Sequence, residues 1–236
     1  NNTLDYDTFY VRGDDTQLSR LSKRSVSKNP EEGDLFDISR RVKPGGKERQ
    51  LNVILISIES LSAEFLTRFG NREGITPFMD GLQKESLFFT QLFATGTRTD
   101  RGLEAITLSI PPTPGRSLVK RPDNEHIYNL GYEFKNLGYD VAFLYGGRGY
   151  FDNMNAFFSG NGYRIIDQTD LKSSEVTFKN AWGVSDEDLY RKTLREADAA
   201  YGRGSHFFYH VMTTSNHRPF TYPEGKIDIP SGTGRS

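Results

Sequence analysis

The run Leu51-Asn-Val-Ile-Leu-Ile-Ser-Ile-Glu-Ser60 constrains this chain more than any other stretch. It is almost continuously apolar and rich in Ile and Val, which suits a strand buried on both faces. It then ends on a carboxylate, Glu59. A strand covered on both sides needs helices above and below it, and the sequence downstream supplies candidates. A helix is expected near Pro77–Glu85, with Thr76 as N-cap and Pro77 at the first helical position. Ser86–Phe93 reads as a second strand. Arg101–Ser109 reads as a helix that stops before Pro111-Pro112, and His126–Leu137 as an amphipathic helix closed by Gly138. Tyr139–Tyr145 reads as a strand feeding the turn Gly146-Gly147, Asp186–Ala200 as a helix, and His206–Thr213 as a further buried strand. The pattern predicts an α/β fold: a mostly parallel central sheet with helices on both faces.

The 50 residues before Leu51 are polar and charged, with few periodic apolar positions, and read as a linker or arm. Asp5–Val11 suggests one short element there, and Lys43-Pro-Gly-Gly-Lys47 a turn. The remainder, 51–236, reads as the domain. The chain of 236 residues fits one large domain or two small ones. Its 30 Lys and Arg against 31 Asp and Glu argue against a dedicated nucleic-acid partner. With no cysteine, a disulfide framework, a thiolate metal site and a cysteine nucleophile are all excluded. No run reaches the roughly 18–20 apolar residues that span a bilayer. The start at Asn1 without Met and the polar run Ser231–Ser236 suggest a piece of a longer protein, cut at both ends.

Ligands in such sheets bind outside the carboxyl ends of the strands. Polar clusters fall there four times: Glu59-Ser60, Thr95–Arg101, Gly146–Asn153 and Thr213–Arg218. A carboxylate closing an apolar strand is costly unless paired or bound to a cation, so Glu59 is a candidate metal ligand, or else a surface acid past a strand end. Thr97 and Thr99 precede a helix, where a hydroxyl can serve as nucleophile once its pKa is lowered. Capping alone would also account for them, since Thr97-Arg-Thr-Asp100 fits a capping box. Arg98 and Arg101 can steady a phosphate or simply be solvated. Gly146–Met154 permits close backbone approach beside Arg148, Asp152 and Asn153, but lacks the spacing of a dinucleotide fingerprint. His217, one of four histidines, sits at the same rim and suits substrate binding or proton relay, or a structural role. The only tryptophan, Trp182, precedes an acidic helix start at Asp186, which reads as a capped helix.

Taken in order, these residues resemble the alkaline-phosphatase/sulfatase superfamily, in its lipoteichoic-acid synthase and phosphoglycerol transferase branch. The resemblance runs from about Asn52 to Arg235 and rests on Glu59-Ser60, Thr95–Glu104, Pro114-Gly-Arg-Ser117, Phe151-Asp-Asn-Met154, Trp182–Asp188 and Thr214-Ser-Asn-His217. It implies an alkaline-phosphatase-like fold, incomplete at the C-terminus, and a membrane-anchored enzyme whose catalytic domain faces the periplasm or the extracellular side. Residues 1–50 would then be juxtamembrane, and the membrane would be reached through a segment outside this chain. It implies a divalent metal, manganese or alternatively magnesium or zinc, bound by Glu59 and by the nucleophile Thr99. It further implies a phospholipid head group as donor and a glycan or polyol-phosphate as acceptor. His217 resembles a substrate-binding histidine, and Arg98, Arg101, Phe151, Asn153 and Trp182 fall at expected substrate positions. Lipoteichoic-acid synthases carry Trp and Arg where this chain has Phe151 and Asn153. The family completes its metal site with a later Asp-His-Gly, which this sequence does not reach, so the 236 residues are expected to lack the full catalytic site and to expose a sheet edge or apolar face.

Two other functions remain open on the sequence. The first is a family ester hydrolase: a phosphodiesterase or phosphatase, or a sulfatase. The missing cysteine and the threonine at the nucleophile position disfavour the sulfatase reaction. The second is a non-catalytic glycan- or lipid-binding domain that keeps the sheet.

Overall fold

The computed structural model describes residues 6–9, 12–26, 34, 36–39, 45–112 and 114–231. The chain divides into two compact units, Asn1–Gln50 and Leu51–Ser236. The first unit carries helix α1 (Tyr6–Phe9) and helix α2 (Asp15–Val26). Helix α2 is an element that the sequence reading did not anticipate in this segment. A local signal for it exists: the Gln17 N–H donates to Asp14 Oδ1 at 3.0 Å, an acidic N-cap contact ahead of Leu18 and Leu21. Lys43, Pro44 and residues 232–236 lie outside the described residues, so the expected turn at 43–47 and the polar end of the chain are described only in part.

Among the described residues, the second unit is built on four parallel strands, β1 (Val53–Ser57), β2 (Asp140–Tyr145), β3 (Arg164–Ile166) and β4 (Phe207–Met212), in the order β1-β4-β2-β3. The α-helices that connect or flank them are α3 (Pro77–Leu82), α4 (Thr99–Leu108), α5 (Leu130–Asn136), α6 (Met154–Gly160) and α7 (Asp186–Gly202). Every residue of β4 is buried, because it lies between β1 and β2 and its two faces serve two cores. Phe208 and Met212 join Phe143, Phe157, Phe158 and Leu103 in one apolar cluster, which contains α4 and α6 residues. Tyr209 and Val211 join Leu144, Leu189, Ala197 and Ala200 in the other, which α7 covers. The expected sheet with helices on both faces is therefore observed. Helix α7 follows the sequence closely: Ser185 accepts from Asp188 N–H, acids fill the first turn, and Leu189, Thr193, Ala197 and Ala200 recur on the buried face.

Three expectations need correction. Strand β1 is not buried on both faces. Among the described residues it is an edge strand, and Ile54 and Ile56 stay 39% and 46% exposed on the side occupied by Tyr209 and Val211. Residues 86–93 form no strand: Leu87, Leu92 and Phe93 are at least 80% exposed, and without a ladder partner their β propensity fixes nothing. The helix expected over His126–Leu137 is only Leu130–Asn136, because Asn129 turns its side chain to accept the Tyr132 N–H and so starts the helix late. Strand β3 and helix α6 are not legible in the sequence, the strand because three residues carry almost no pattern.

Candidate active site

The strand register assembles the site. Ser57, Met212 and Tyr145 pair side by side at the carboxyl ends of β1, β4 and β2, so the chain leaves all three strands on one rim. Glu59 is held there by the end of β4. Its backbone N–H donates to Thr213 Oγ1 at 2.9 Å, and its carbonyl accepts from Asn216 Nδ2 at 3.0 Å. Both carboxylate oxygens then meet hydroxyls: Thr99 donates to Oε2 at 2.9 Å and Ser60 to Oε1 at 2.8 Å.

Thr99 is the first helical residue of α4. Arg98 is the N-cap and provides no side-chain cap, and neither Thr97 nor Thr99 caps the helix. The capping-box account of Thr97–Asp100 therefore fails, and the Thr99 hydroxyl is directed across 40 residues of sequence to a carboxylate. A brace fixes the helix behind it. Fully buried Glu104 accepts from Arg101 at 3.0 Å and from the Leu118 N–H at 3.1 Å, while Ser117 Oγ donates to the Asp100 carbonyl at 2.9 Å. Arg101 also donates to the Gly115 carbonyl. The Pro114–Ser117 motif thus supports α4, and Arg101 belongs to that support rather than to the pocket lining. Arg98 is exposed and is likewise absent from the lining.

Beside Glu59 and Thr99 stands an aromatic wall. The Trp182 ring lies 3.6 Å from that of His217, and Phe151 meets Trp182 edge-on at 6.0 Å. Trp182 Nε1 donates to the Arg218 carbonyl at 2.7 Å, and His217 Nδ1 lies 2.8 Å from the same oxygen. A carbonyl only accepts, so Nδ1 carries the proton, and the Nε2 position is left for a ligand. The glycines before and after the wall make it possible. A Cβ on Gly147 would come within 2.6 Å of the Trp182 carbonyl, and one on Gly183 would strike the Gly146 carbonyl. Asp186, expected only as part of a capped helix, also accepts the Thr214 and Ser215 N–H groups at 2.9 and 3.0 Å, fixing the loop that carries His217.

The structure therefore brings together Glu59, Thr99, Phe151, Trp182 and His217 around one pocket, with Tyr145, Met154, Thr213 and Thr214 completing it. It does not bring Asn153 there: that side chain donates to the Val119 carbonyl at 3.0 Å. Burial, with the nearby charges of Glu59, Asp152 and Asp167, pushes the Tyr145 phenol up to about 12, so it lines the pocket as a neutral hydroxyl. Asp167 is a residue the sequence does not single out. Burial alone would raise its pKa, but hydrogen bonds from Thr169, Gly149 and Asn155 lower it, and so a fixed carboxylate ties down the 149–155 loop.

Carboxylate and hydroxyl oxygens suit a hard divalent cation. Glu59 and Thr99 are a matched but partial donor set, since no cluster of three or more His, Cys, Asp or Glu able to hold a metal occurs among the described residues. No helix among them is long and apolar enough to cross a membrane.

Comparison with known proteins follows the same outline. A Sulfatase family model matches residues 51–229. Lipoteichoic acid synthase 2 of Bacillus subtilis is 25% identical over 193 residues, covering 79% of this chain and 29% of the relative. Phosphoglycerol transferase I of Escherichia coli is 27% identical over 184 residues, covering 72% of this chain and 23% of the relative. A crystal structure of an alkaline-phosphatase-superfamily protein from Vibrio parahaemolyticus superposes with TM-score 0.77 at 34% identity, covering 92% of this chain and 53% of that one. The parallel sheet with its flanking helices is thus an alkaline-phosphatase-like architecture. The chain spans less than a third of the length of these two curated relatives.

Proposed function

This chain belongs to the sulfatase family, and on that footing we propose that it carries the nucleophile half of a metal-dependent phosphoglycerol- or phosphoethanolamine-type transferase. The 2.9 Å hydrogen bond from Thr99 Oγ1 to Glu59 Oε2 carries this reading. A threonine with only a helix to start would cap it, and Thr99 does not. The name of the Escherichia coli relative, a phosphoglycerol transferase, supports phosphoglycerol chemistry, and the absence of cysteine disfavours sulfate-ester cleavage through a cysteine-derived nucleophile.

In this mechanism Glu59 Oε2 orients the Thr99 hydroxyl and faces the proton it must lose. Thr99 Oγ1 attacks the phosphorus of a lipid head group. One P–O bond forms to Thr99, the P–O bond to the diacylglycerol oxygen breaks, and that oxygen departs with a proton. The product is a phosphodiester on Thr99. An acceptor hydroxyl of a glycan or polyol-phosphate then attacks the same phosphorus and releases Thr99. The N–H groups opening α4 face the added negative charge. His217, its Nδ1 proton committed to Arg218, offers Nε2 to the phosphoryl or head-group oxygens, and Phe151 and Trp182 exclude water from one side. A divalent cation of the manganese type, held by the Glu59 carboxylate and the Thr99 hydroxyl, would supply the Lewis acidity that lowers the hydroxyl pKa. A lipid donor requires the site to work at a membrane, and the extracytoplasmic face is part of the proposal, on the resemblance alone.

The test is Thr99→Ala in the full-length protein, assayed for head-group transfer from a phospholipid and paired with crystals grown in manganese. Turnover is expected to fall by about a thousandfold or more. Anomalous density is expected against Glu59 and Thr99 in the unsubstituted protein. Transfer at the unsubstituted rate by Thr99→Ala would remove the mechanism.

A further inference from the structure

The turn Leu118–Lys120 lies between the two halves of the pocket and touches both. On the nucleophile side, the Leu118 N–H donates to buried Glu104 of α4, and Lys120 Nζ lies 3.5 Å from Asp100 Oδ2, one residue beyond Thr99. On the aromatic side, Lys120 Nζ lies 2.5 Å from Asp152 Oδ1, one residue beyond Phe151, and the Val119 carbonyl accepts from Asn153 Nδ2 at 3.0 Å. The turn itself is anchored: Val119 is fully buried, and its carbonyl also accepts from Asn124 Nδ2 at 2.8 Å.

The aromatic side needs holding. Asp152 and Asn153 both adopt left-handed backbone, at φ 55° and 62°. Asp and Asn tolerate that region better than most side chains, but two in succession persist only where contacts over-determine them. The side-chain contacts that do so here are the Lys120 ion pair and the Asn153–Val119 hydrogen bond, beside the Asn153 N–H donated to the Tyr150 carbonyl at 3.1 Å. Phe151, which precedes those two residues, is 47% exposed and meets Trp182 edge-on. The ion pair is mostly shielded from solvent, with side-chain exposures of 24% for Lys120 and 18% for Asp152, so solvent screens it less than a surface pair.

We propose that Lys120 is a positioning residue, its ammonium bridging Asp100 and Asp152 so as to fix the distance between Thr99 and the Phe151–Trp182 wall. Its catalytic consequence rests on the reading of Thr99 as nucleophile; its geometric consequence does not. A head group gripped by the wall must present its phosphorus to Thr99 Oγ1, and slack between the two costs turnover rather than binding.

The experiment uses full-length protein carrying Lys120→Met, Lys120→Arg or Asp152→Asn. Asparagine keeps the tolerance for left-handed backbone, so Asp152→Asn removes the ion pair with little backbone penalty. Lys120→Met and Asp152→Asn are expected to lower kcat on the order of tenfold with the donor KM changed far less, and Lys120→Arg to recover most of it. Crystal structures of the same variants are expected to show Phe151 withdrawn from Trp182. The proposal is overturned if both variants keep the unsubstituted kcat, or if kcat falls while the Phe151–Trp182 contact stays in place. It is also overturned if only the melting temperature drops. Should Thr99→Ala retain full turnover, the nucleophile reading fails, while the position of Phe151 still decides the role of Lys120.

Discussion

Thr99 occupies the first turn of a helix, where a threonine hydroxyl ordinarily serves the backbone. Its donation to Glu59 instead is what separates a site from a cap. Glu59→Gln keeps an oxygen for Thr99 to donate to but removes the charge. Manganese affinity, measured by isothermal titration on the full-length protein, is expected to fall at least tenfold, by about 1.4 kcal/mol or more. Thr99→Ser keeps the hydroxyl and loses one methyl, so partial turnover is expected where Thr99→Ala shows almost none. A different residue makes stability depend on pH. His210 is buried in β4, bonds Ser57 Oγ at 2.9 Å through Nε2, and has no partner at Nδ1. Burial lowers its pKa from 6.5 to about 4. The unfolded chain therefore binds a proton between these values that the folded chain refuses, and the His210 contribution to stability is lost as pH falls from 6.5 toward 4. The loss amounts to about 3 kcal/mol. Denaturant titrations should show that His210→Gln flattens this part of the pH profile; an unchanged slope would contradict the assignment.

Elements place these residues, and not all are equally readable. The parallel α/β pattern, the Asp186 helix and strands β2 and β4 follow from apolar period and capping residues, which act locally. The pairing of Glu59 with Thr99 is legible because each ends or begins an element on the same rim. The failures have a common cause. Whether Leu51–Ile58 is central or at an edge, and whether residues 86–93 join a sheet, depends on what packs against them, which local composition does not contain. Arg101 and Asn153 look free for a ligand in the sequence, but tertiary hydrogen bonds to Glu104 and to the Val119 carbonyl engage them. Asp167 signals only a local cap in the sequence, Asp167-Gln-Thr-Asp170, because the partners that tie it to the site come from the 149–155 loop. Among the glycines, Gly183 is the one whose substitution tests the assembly of the wall. A Cβ there meets the backbone of Gly146 and Gly147, which cannot rotate away. Gly183→Ala is expected to cost about 1–3 kcal/mol by chemical denaturation and to displace Trp182. A loss within about 0.5 kcal/mol would mean that the close approach of these loops is not required.

At the scale of the molecule, the sheet is asymmetric. Strand β4 is paired on both sides, whereas β1 pairs only with β4 among the described residues and leaves Ile54 and Ile56 partly exposed. An unpaired edge with apolar side chains favours association. Sedimentation velocity on this chain is expected to show concentration-dependent self-association that Ile56→Lys reduces; a monomer at all concentrations would contradict that. The same sheet gives the proposed chemistry its frame, since β1, β4 and β2 end in one row and deliver Glu59, Thr213 and Tyr145 to one pocket against the start of α4. The central claim is that this pocket makes Thr99 a covalent carrier of a phosphodiester. The most direct measurement is mass spectrometry of the full-length protein, incubated with manganese and phosphatidylglycerol or phosphatidylethanolamine and quenched before acceptor is added. A phosphoglycerol or phosphoethanolamine adduct on the peptide containing Thr99 is the predicted result. Continued head-group transfer with Thr99 unmodified, or with the adduct on another residue, would contradict it.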